Sequence, residues 1–338
     1  MNQLRTCSFV FAILSCFFIS PPDPSTTKAS KIDQIVSRYQ QFGYFNGSIL
    51  VAEHGKVLYE RGVGYADIQT HTPNTPETKF GIASLSKQFT AALVLMQVAI
   101  GNLRLDATVS EVLPWYRKDT GSRITVEQLL RHTSGLPADY GAPEFGDGEA
   151  AAQHAEPKTF AQSVCQPALV SEPGARWNYS NCGYILLGLI LEQITAKSFD
   201  EVLESQLLRP LGMNATGMDH NNLVRLGGAV GYRRRAGPRY VLGPYIDRSH
   251  IFAAGSMYSS VEDLYRWNQA LTHDQLFSEE LRKKIFTPGL AEWGYGWFVK
   301  RIAVGQPGEG SVIAEMRVDM PGNFFRCHHR PPKWIRVY

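Results

Sequence analysis

The first regular pattern along the chain is a hairpin. Ser48, Ile49, Leu50, Val51 and Ala52 run toward a turn at His54, Gly55 and Lys56, and Val57, Leu58 and Tyr59 return, so residues 47–66 are predicted as two strands. From residue 84 to 100 the pattern changes: Ala91, Ala92, Leu93, Val94, Leu95 and Met96 follow one another without a polar face, as in a helix buried all round. Further helical patterns are predicted over residues 126–131, 184–195 and 199–208, separated by loops rich in Gly, Pro and Ser. Strand character returns over residues 294–304. The predicted class is therefore α+β, an antiparallel sheet formed from both ends of the chain and flanked by helices, with a mostly helical region inserted between. Trp293, Tyr295 and Trp297 alternate as on a strand and read as packing rather than as a carbohydrate platform.

Composition narrows the class without naming a chemistry. The chain has 338 residues, 44% of them hydrophobic and 19% charged, enough for a sizeable core in a folded globular protein. A formal net charge of +3 is too mild, and too dispersed over most of the chain, for a nucleic-acid partner. Residues 1–20 read as a signal peptide or N-terminal anchor: Arg5 precedes a short apolar run that ends before Pro21 and Pro22. That layout predicts a secreted or periplasmic protein, with membrane association through this segment if it is retained. Ile13, Leu14, Ser15 and Cys16 match a bacterial lipoprotein box only loosely. Cys165, Cys182 and Cys327 would remain in the mature chain, an odd number without metal-type spacing, so neither a disulfide framework nor a metal site is expected. Nothing implies a cofactor.

Candidate chemistry begins where the apolar helix begins. Ser84 and Lys87 stand at i and i+3 and so share one helix face. A serine hydroxyl is a weak nucleophile alone, and a desolvated lysine can help remove its proton, while a helix start offers backbone N–H groups to a developing oxyanion. Taken alone, the same spacing suits a helix cap beside a surface cation. Ser86 has Phe89 rather than a lysine at its own i+3 and is not a candidate. A second element is Tyr179-Ser180-Asn181, in a loop after Pro173 and Gly174. Tyrosine beside lysine can act as a general base and an asparagine amide can bind a substrate carbonyl, although a packed tyrosine and a helix cap would read the same way.

Together these segments resemble the class C β-lactamase-like superfamily, which includes serine D-Ala-D-Ala carboxypeptidases and related esterases. The likeness covers residues 45–299. It rests on Phe80-Gly-Ile-Ala-Ser-Leu-Ser-Lys87, Leu129-Leu-Arg-His-Thr-Ser-Gly-Leu-Pro137, Tyr179-Ser-Asn181 and Ala253-Ala-Gly-Ser-Met-Tyr-Ser-Ser-Val-Glu-Asp263, in that order. The resemblance implies Ser84 as the acylated nucleophile, Lys87 as its proton-handling partner, Tyr179 as general base and Asn181 as a substrate contact. The substrate would be a small amide, ester, β-lactam or D-amino-acid peptide, hydrolysed through an acyl-enzyme. His132 falls, by the same resemblance, in a structural landmark beside the site rather than in a catalytic triad.

The chain also departs from that pattern. A third motif, Lys-Thr-Gly or His-x-Gly, belongs on the strand lining the pocket, soon after residues 294–304, and the sequence there reads Ala314-Glu-Met-Arg-Val-Asp-Met-Pro-Gly-Asn323 instead. His328 and His329 lack the following glycine. The catalytic domain is thus expected over residues 30–316, with residues 317–338 a basic tail without strand or helix period in place of the last strands and helix. Such a gap is expected to leave a sheet edge bare. Back-translation of residues 317–322 in a shifted frame can restore His-x-Gly, which the gene's nucleotide sequence decides. The alternative function is a truncated or inactive homologue that binds peptidoglycan-like peptides without turnover.

Overall fold

The computed structural model describes residues 24–138, 152–234, 240–243, 245–272, 276–303, 310–320, 323–329 and 335–337. The expected N-terminal segment 1–20 and most of the loop 139–155 lie outside them. The hairpin forms as predicted: β1 (Gly47–Glu53) pairs antiparallel with β2 (Lys56–Val63), with Ser48 opposite Gly62 and a bulge between Val51 and Ala52. The first described helix had no sequence forecast. It is α1 (Pro24–Gln41), which packs on β2, where Asp33 accepts hydrogen bonds from Tyr59 Oη at 2.8 Å and Arg61 at 2.9 Å.

The centre is two helices with no polar face. In α2 (Ser86–Ala99), Phe89, Leu93, Val94 and Leu95 are all fully buried, and in α5 (Asn181–Thr195) so are Ile185, Leu186, Leu187 and Ile190. Buried aliphatic side chains of this size each stabilise the fold by roughly 1.5–3 kcal/mol, so the two helices anchor the core. Between them in sequence lie α3 (Val126–Leu130) and α4 (Pro157–Val164). Beyond α5 come α6 (Phe199–Leu203), α7 (Phe252–Gly255) and α8 (Val261–Thr272). Trp267 of α8 stacks on Phe89 at 4.6 Å between ring centroids and donates to Gln88 Oε1 at 3.0 Å, tying the last long helix to α2. A small sheet beside the start of α2 joins β3 (Phe80–Gly81), β4 (Gly217–Met218) and β5 (Met257–Ser259), with β5 in the middle.

The C-terminal part differs from its sequence-based reading. Residues 317–338 were expected to carry no regular element, yet β7 (Gly310–Met320) extends into them and β8 (Asn323–His329) and β9 (Ile335–Val337) follow. β7 pairs antiparallel with both β6 (Phe298–Ala303) and β8. β9 pairs antiparallel with β1, Val51 opposite Val337, so a strand from the tail covers this edge of β1, where a bare sheet edge was expected somewhere in the fold. Strand formation here follows from the partner strands rather than from alternation in the sequence, because a ladder satisfies backbone N–H and C=O groups whatever the side chains. The expectation of a sheet drawn from both chain ends thus holds, as β9–β1–β2. Trp293, Tyr295 and Trp297 precede β6 rather than lying on it, and all three are buried packing residues.

The cysteines also correct the sequence reading. Cys165 and Cys182 form a disulfide between the end of α4 and the first turn of α5, both side chains buried. An odd cysteine count hid this pair. The contact is set by helix packing and not by spacing.

Candidate active site

Ser84 sits in a single 3-10 turn, residues 83–85, that leads into α2. The turn is entered through Ala83 at φ +46°, a left-handed conformation that costs a non-glycine residue energy and persists only where the surroundings impose it. They do so through Ser86, which is fully buried. Its Oγ donates to Ala83 O at 2.6 Å and accepts the Met257 N–H of β5 at 3.2 Å. Ser86 is therefore a brace for the turn, as its lack of an i+3 lysine implied. Ser84 is left half-buried.

One helical turn on, Lys87 is completely buried. Its ammonium donates to Ser84 Oγ at 3.1 Å, to Asn181 Oδ1 at 2.8 Å and to the Ala254 carbonyl of α7 at 2.7 Å. An ammonium removed from water requires such acceptors, since a buried charge without them is very costly. The nitrogen also lies 4.8 Å from the ring centre of Tyr179 and 5.5 Å from that of Tyr184, positions in which π faces favour a cation. Gly296, at φ +81°, lets the chain pass over this point: a Cβ there would stand 3.0 Å from the Lys87 carbonyl carbon.

Tyr179 completes the group. Its Oη lies 2.7 Å from Ser84 Oγ and donates to it in the resting arrangement. The four residues singled out from sequence, Ser84, Lys87, Tyr179 and Asn181, are thus brought into one hydrogen-bonded set. The set joins two separate segments of chain, and the Ala254 carbonyl brings in a third. β7 runs beside the Ser84 turn, in the place where the third motif was expected. The strand is present in the fold although neither Lys-Thr-Gly nor His-x-Gly occurs on it.

Two contributions had no forecast in the sequence, and a third, His132, was expected beside the site without a stated contact. The Ala254 carbonyl belongs to the run 253–263, quoted for its resemblance without a role, and it fixes Lys87. The disulfide joins the residue after Asn181 to α4. His132 lies behind Tyr179 with ring centres 4.4 Å apart, and its Nδ1 accepts the Ser180 N–H at 3.1 Å. Burial, with the Lys87 charge adding to it, holds the His132 pKa well below the usual imidazole value. Burial likewise keeps the Tyr184 phenol protonated far above the usual range, with Tyr179 adding to it, so Tyr184 is a packing group whose hydroxyl donates to Leu130 O at 2.9 Å.

A serine hydrogen-bonded by a buried lysine and a tyrosine thus stands at the edge of a helical core on an α+β scaffold. The chain belongs to the Beta-lactamase family, whose model matches residues 32–319. It is 30% identical over 280 residues to protein flp of Staphylococcus aureus (strain MRSA252), an overlap of 79% of this chain and 55% of that protein. The chain thus spans about half the length of such curated relatives. The fold is similar to the octameric penicillin-binding protein homologue of Pyrococcus abyssi, with a TM-score of 0.76 and 28% identity, covering 91% of this chain and 72% of the other. It is equally similar to a penicillin binding protein of Bacillus halodurans, with a TM-score of 0.76 and 26% identity over 89% and 92% of the two chains.

Proposed function

We propose that this chain is a serine hydrolase working through an acyl-enzyme on a small amide, ester, β-lactam or D-amino-acid peptide. The observation that carries the reading is Ser84 Oγ held between Tyr179 Oη at 2.7 Å and Lys87 Nζ at 3.1 Å. For the first step the resting phenol of Tyr179 loses its proton to water; the phenolate then accepts the Ser84 proton as Oγ attacks the substrate carbonyl, and the Lys87 ammonium stabilises the charge on both oxygens. Collapse of the tetrahedral species gives the Ser84 ester; the phenol's proton passes to the leaving nitrogen or oxygen. Water then takes the place of the leaving group, and the same residues run in reverse to release the acid. Asn181, whose Oδ1 is engaged by Lys87, can offer its amide N–H₂ to a substrate carbonyl. Residues 30–316 form the catalytic unit in this reading.

A secreted or periplasmic location agrees with the Cys165–Cys182 disulfide, since such bonds persist in oxidising compartments. Among the described residues no helix is long and apolar enough to cross a membrane. The names of the structural relatives support β-lactams as the first probe. One observation favours a second reading, a binder of peptidoglycan-like peptides without turnover: the strand beside Ser84 lacks the third motif and so a recognisable group for a substrate carboxylate. A fluorescent penicillin and a fluorescent phosphonate separate the two. Labelling of the folded chain that disappears in Ser84→Ala supports the hydrolase, and absence of labelling with tight unlabelled-peptide binding supports the binder.

A further inference from the structure

The segment around His132 carries more order than a loop beside a site requires. Helix α3 ends in a Schellman arrangement: the His132 N–H bonds to Leu129 O at 3.3 Å and the Thr133 N–H to Gln128 O at 2.9 Å. The first residue past the cap in this motif takes a left-handed conformation and is usually glycine, because a Cβ is strained there. Here it is His132, at φ +54°. A histidine kept in a glycine position points to a use for its side chain.

That side chain is 1% exposed and reaches across to the loop that bears the candidate base. Its Nδ1 accepts the Ser180 N–H, while its backbone carbonyl accepts the Asn178 N–H at 2.8 Å. Neighbouring bonds complete a clamp. Gly174 N–H donates to Thr133 O at 2.7 Å and Asn178 Nδ2 to Leu136 O at 2.7 Å. A backbone amide cannot donate to a protonated ring nitrogen, so Nδ1 carries the lone pair and Nε2 the proton. Nε2 has no hydrogen-bond partner among the described residues, and the imidazole packs against the rings of Tyr179, Tyr184 and Trp293. The titratable groups around the ring are Lys87 of α2, whose charge disfavours an imidazolium, and the phenols Tyr179 and Tyr184.

We propose that His132 is a positioning residue of the hydrolase: as the neutral Nε2–H tautomer it accepts the Ser180 amide and so fixes the turn from which Tyr179 and Asn181 reach Ser84 and Lys87. The inference rests on the hydrolase reading for its kinetic consequence, and on the hydrogen bond alone for its structural one. Without the Nδ1 acceptor, the buried Ser180 N–H has no partner and the turn shifts to find one. The reacting oxygens then lose their alignment, which slows acylation more than it weakens initial binding.

The test pairs two variants with a spectroscopic measurement. Asn places its Oδ1 where His has Nδ1 and tolerates the left-handed conformation, so H132N should recover most of what H132L loses. With fluorescent penicillin, H132L should acylate tenfold or more slowly than the parent at saturating probe, and H132N within about threefold, near-ultraviolet circular dichroism verifying both folds. An H132L that acylates at the parent rate, or an H132N as slow as a folded H132L, overturns the proposal. Nitrogen-15 histidine spectra of the parent read the tautomer without any turnover. A ring protonated at Nε2 and bare at Nδ1 from pH 8 to pH 5 supports the assignment, and a proton on Nδ1 overturns it. A parent that is never acylated would contradict the hydrolase reading and leave the ring spectrum to decide the structural role.

Discussion

Breaking the Cys165–Cys182 bond should cost about 3 kcal/mol of stability, and most of the local consequence should fall on the candidate base. The two cysteines are 17 residues apart, and the loop they close contains both Tyr179 and the start of α5. In the chain-entropy account, a loop of this length removes about 10 cal/mol/K of freedom from the unfolded chain, or about 3 kcal/mol at room temperature. The assay is equilibrium urea unfolding of the oxidised parent, the reduced parent and the double variant C165A/C182A. The reduced parent isolates the cross-link, since its sulfur atoms stay in place; the double variant adds a small cavity, because both side chains are buried. Both should unfold at lower urea than the oxidised parent, and the double variant should be no more stable than the reduced chain. Acylation by a fluorescent penicillin should slow in both, since the hydrogen bonds to residues 132–136 then hold the loop without the covalent closure. A loss below 1 kcal/mol with unchanged denaturant dependence would refute the reasoning, as would a parent whose cysteines all react as free thiols under oxidising conditions.

Tyr179→Phe removes the hydroxyl 2.7 Å from Ser84 and keeps the ring packing, so acylation should fall about 10²–10⁴-fold with little change in melting temperature, as stopped-flow labelling can measure. Ser86→Ala should still be labelled but be less stable by about 1–3 kcal/mol in urea unfolding, because the buried Met257 N–H loses its acceptor and the Ala83 turn its brace. For His132 the folded pKa is depressed, so its contribution is fully present above the unfolded value of about 6.5 and is lost as pH falls toward the folded value, where only the unfolded chain has bound the proton. Stability should therefore fall by up to about 1.4 kcal/mol per pH unit below about pH 6.5 from this group, and H132N should remove that component when urea unfolding is compared across pH. Gly135→Ala should be destabilising by about 1–3 kcal/mol, since Gly135 has φ +79° and a Cβ would meet Ser171 O at 2.3 Å, and a thermal melt reads the change.

The parts of this molecule that were legible in the sequence are those set by local spacing. Ser84 and Lys87 meet because i and i+3 share a helix face, and the buried character of α2 and α5 follows from runs with no polar side. Tyr179 was a different matter, since nothing local brings a residue 95 positions away to within 2.7 Å of Ser84, and only the ordered motifs suggested it. The Ala254 carbonyl and the His132 acceptor were hidden for the same reason: each serves a partner far along the chain through an atom any residue or any histidine could supply. The disulfide escaped because pairing depends on where α4 and α5 lie. β8 and β9 escaped because a ladder partner can impose strand geometry on a segment rich in Pro and Arg.

The most direct measurement is intact-mass and peptide-mapping mass spectrometry of the folded chain after incubation with a β-lactam. Ring opening expels no leaving group, so the acyl-enzyme gains the full mass of the compound. The account predicts that gain once per chain, located on Ser84 and absent from Ser84→Ala. A folded chain that gains no mass with β-lactam or phosphonate serine reagents alike, or one that carries the adduct on Ser86, would contradict it.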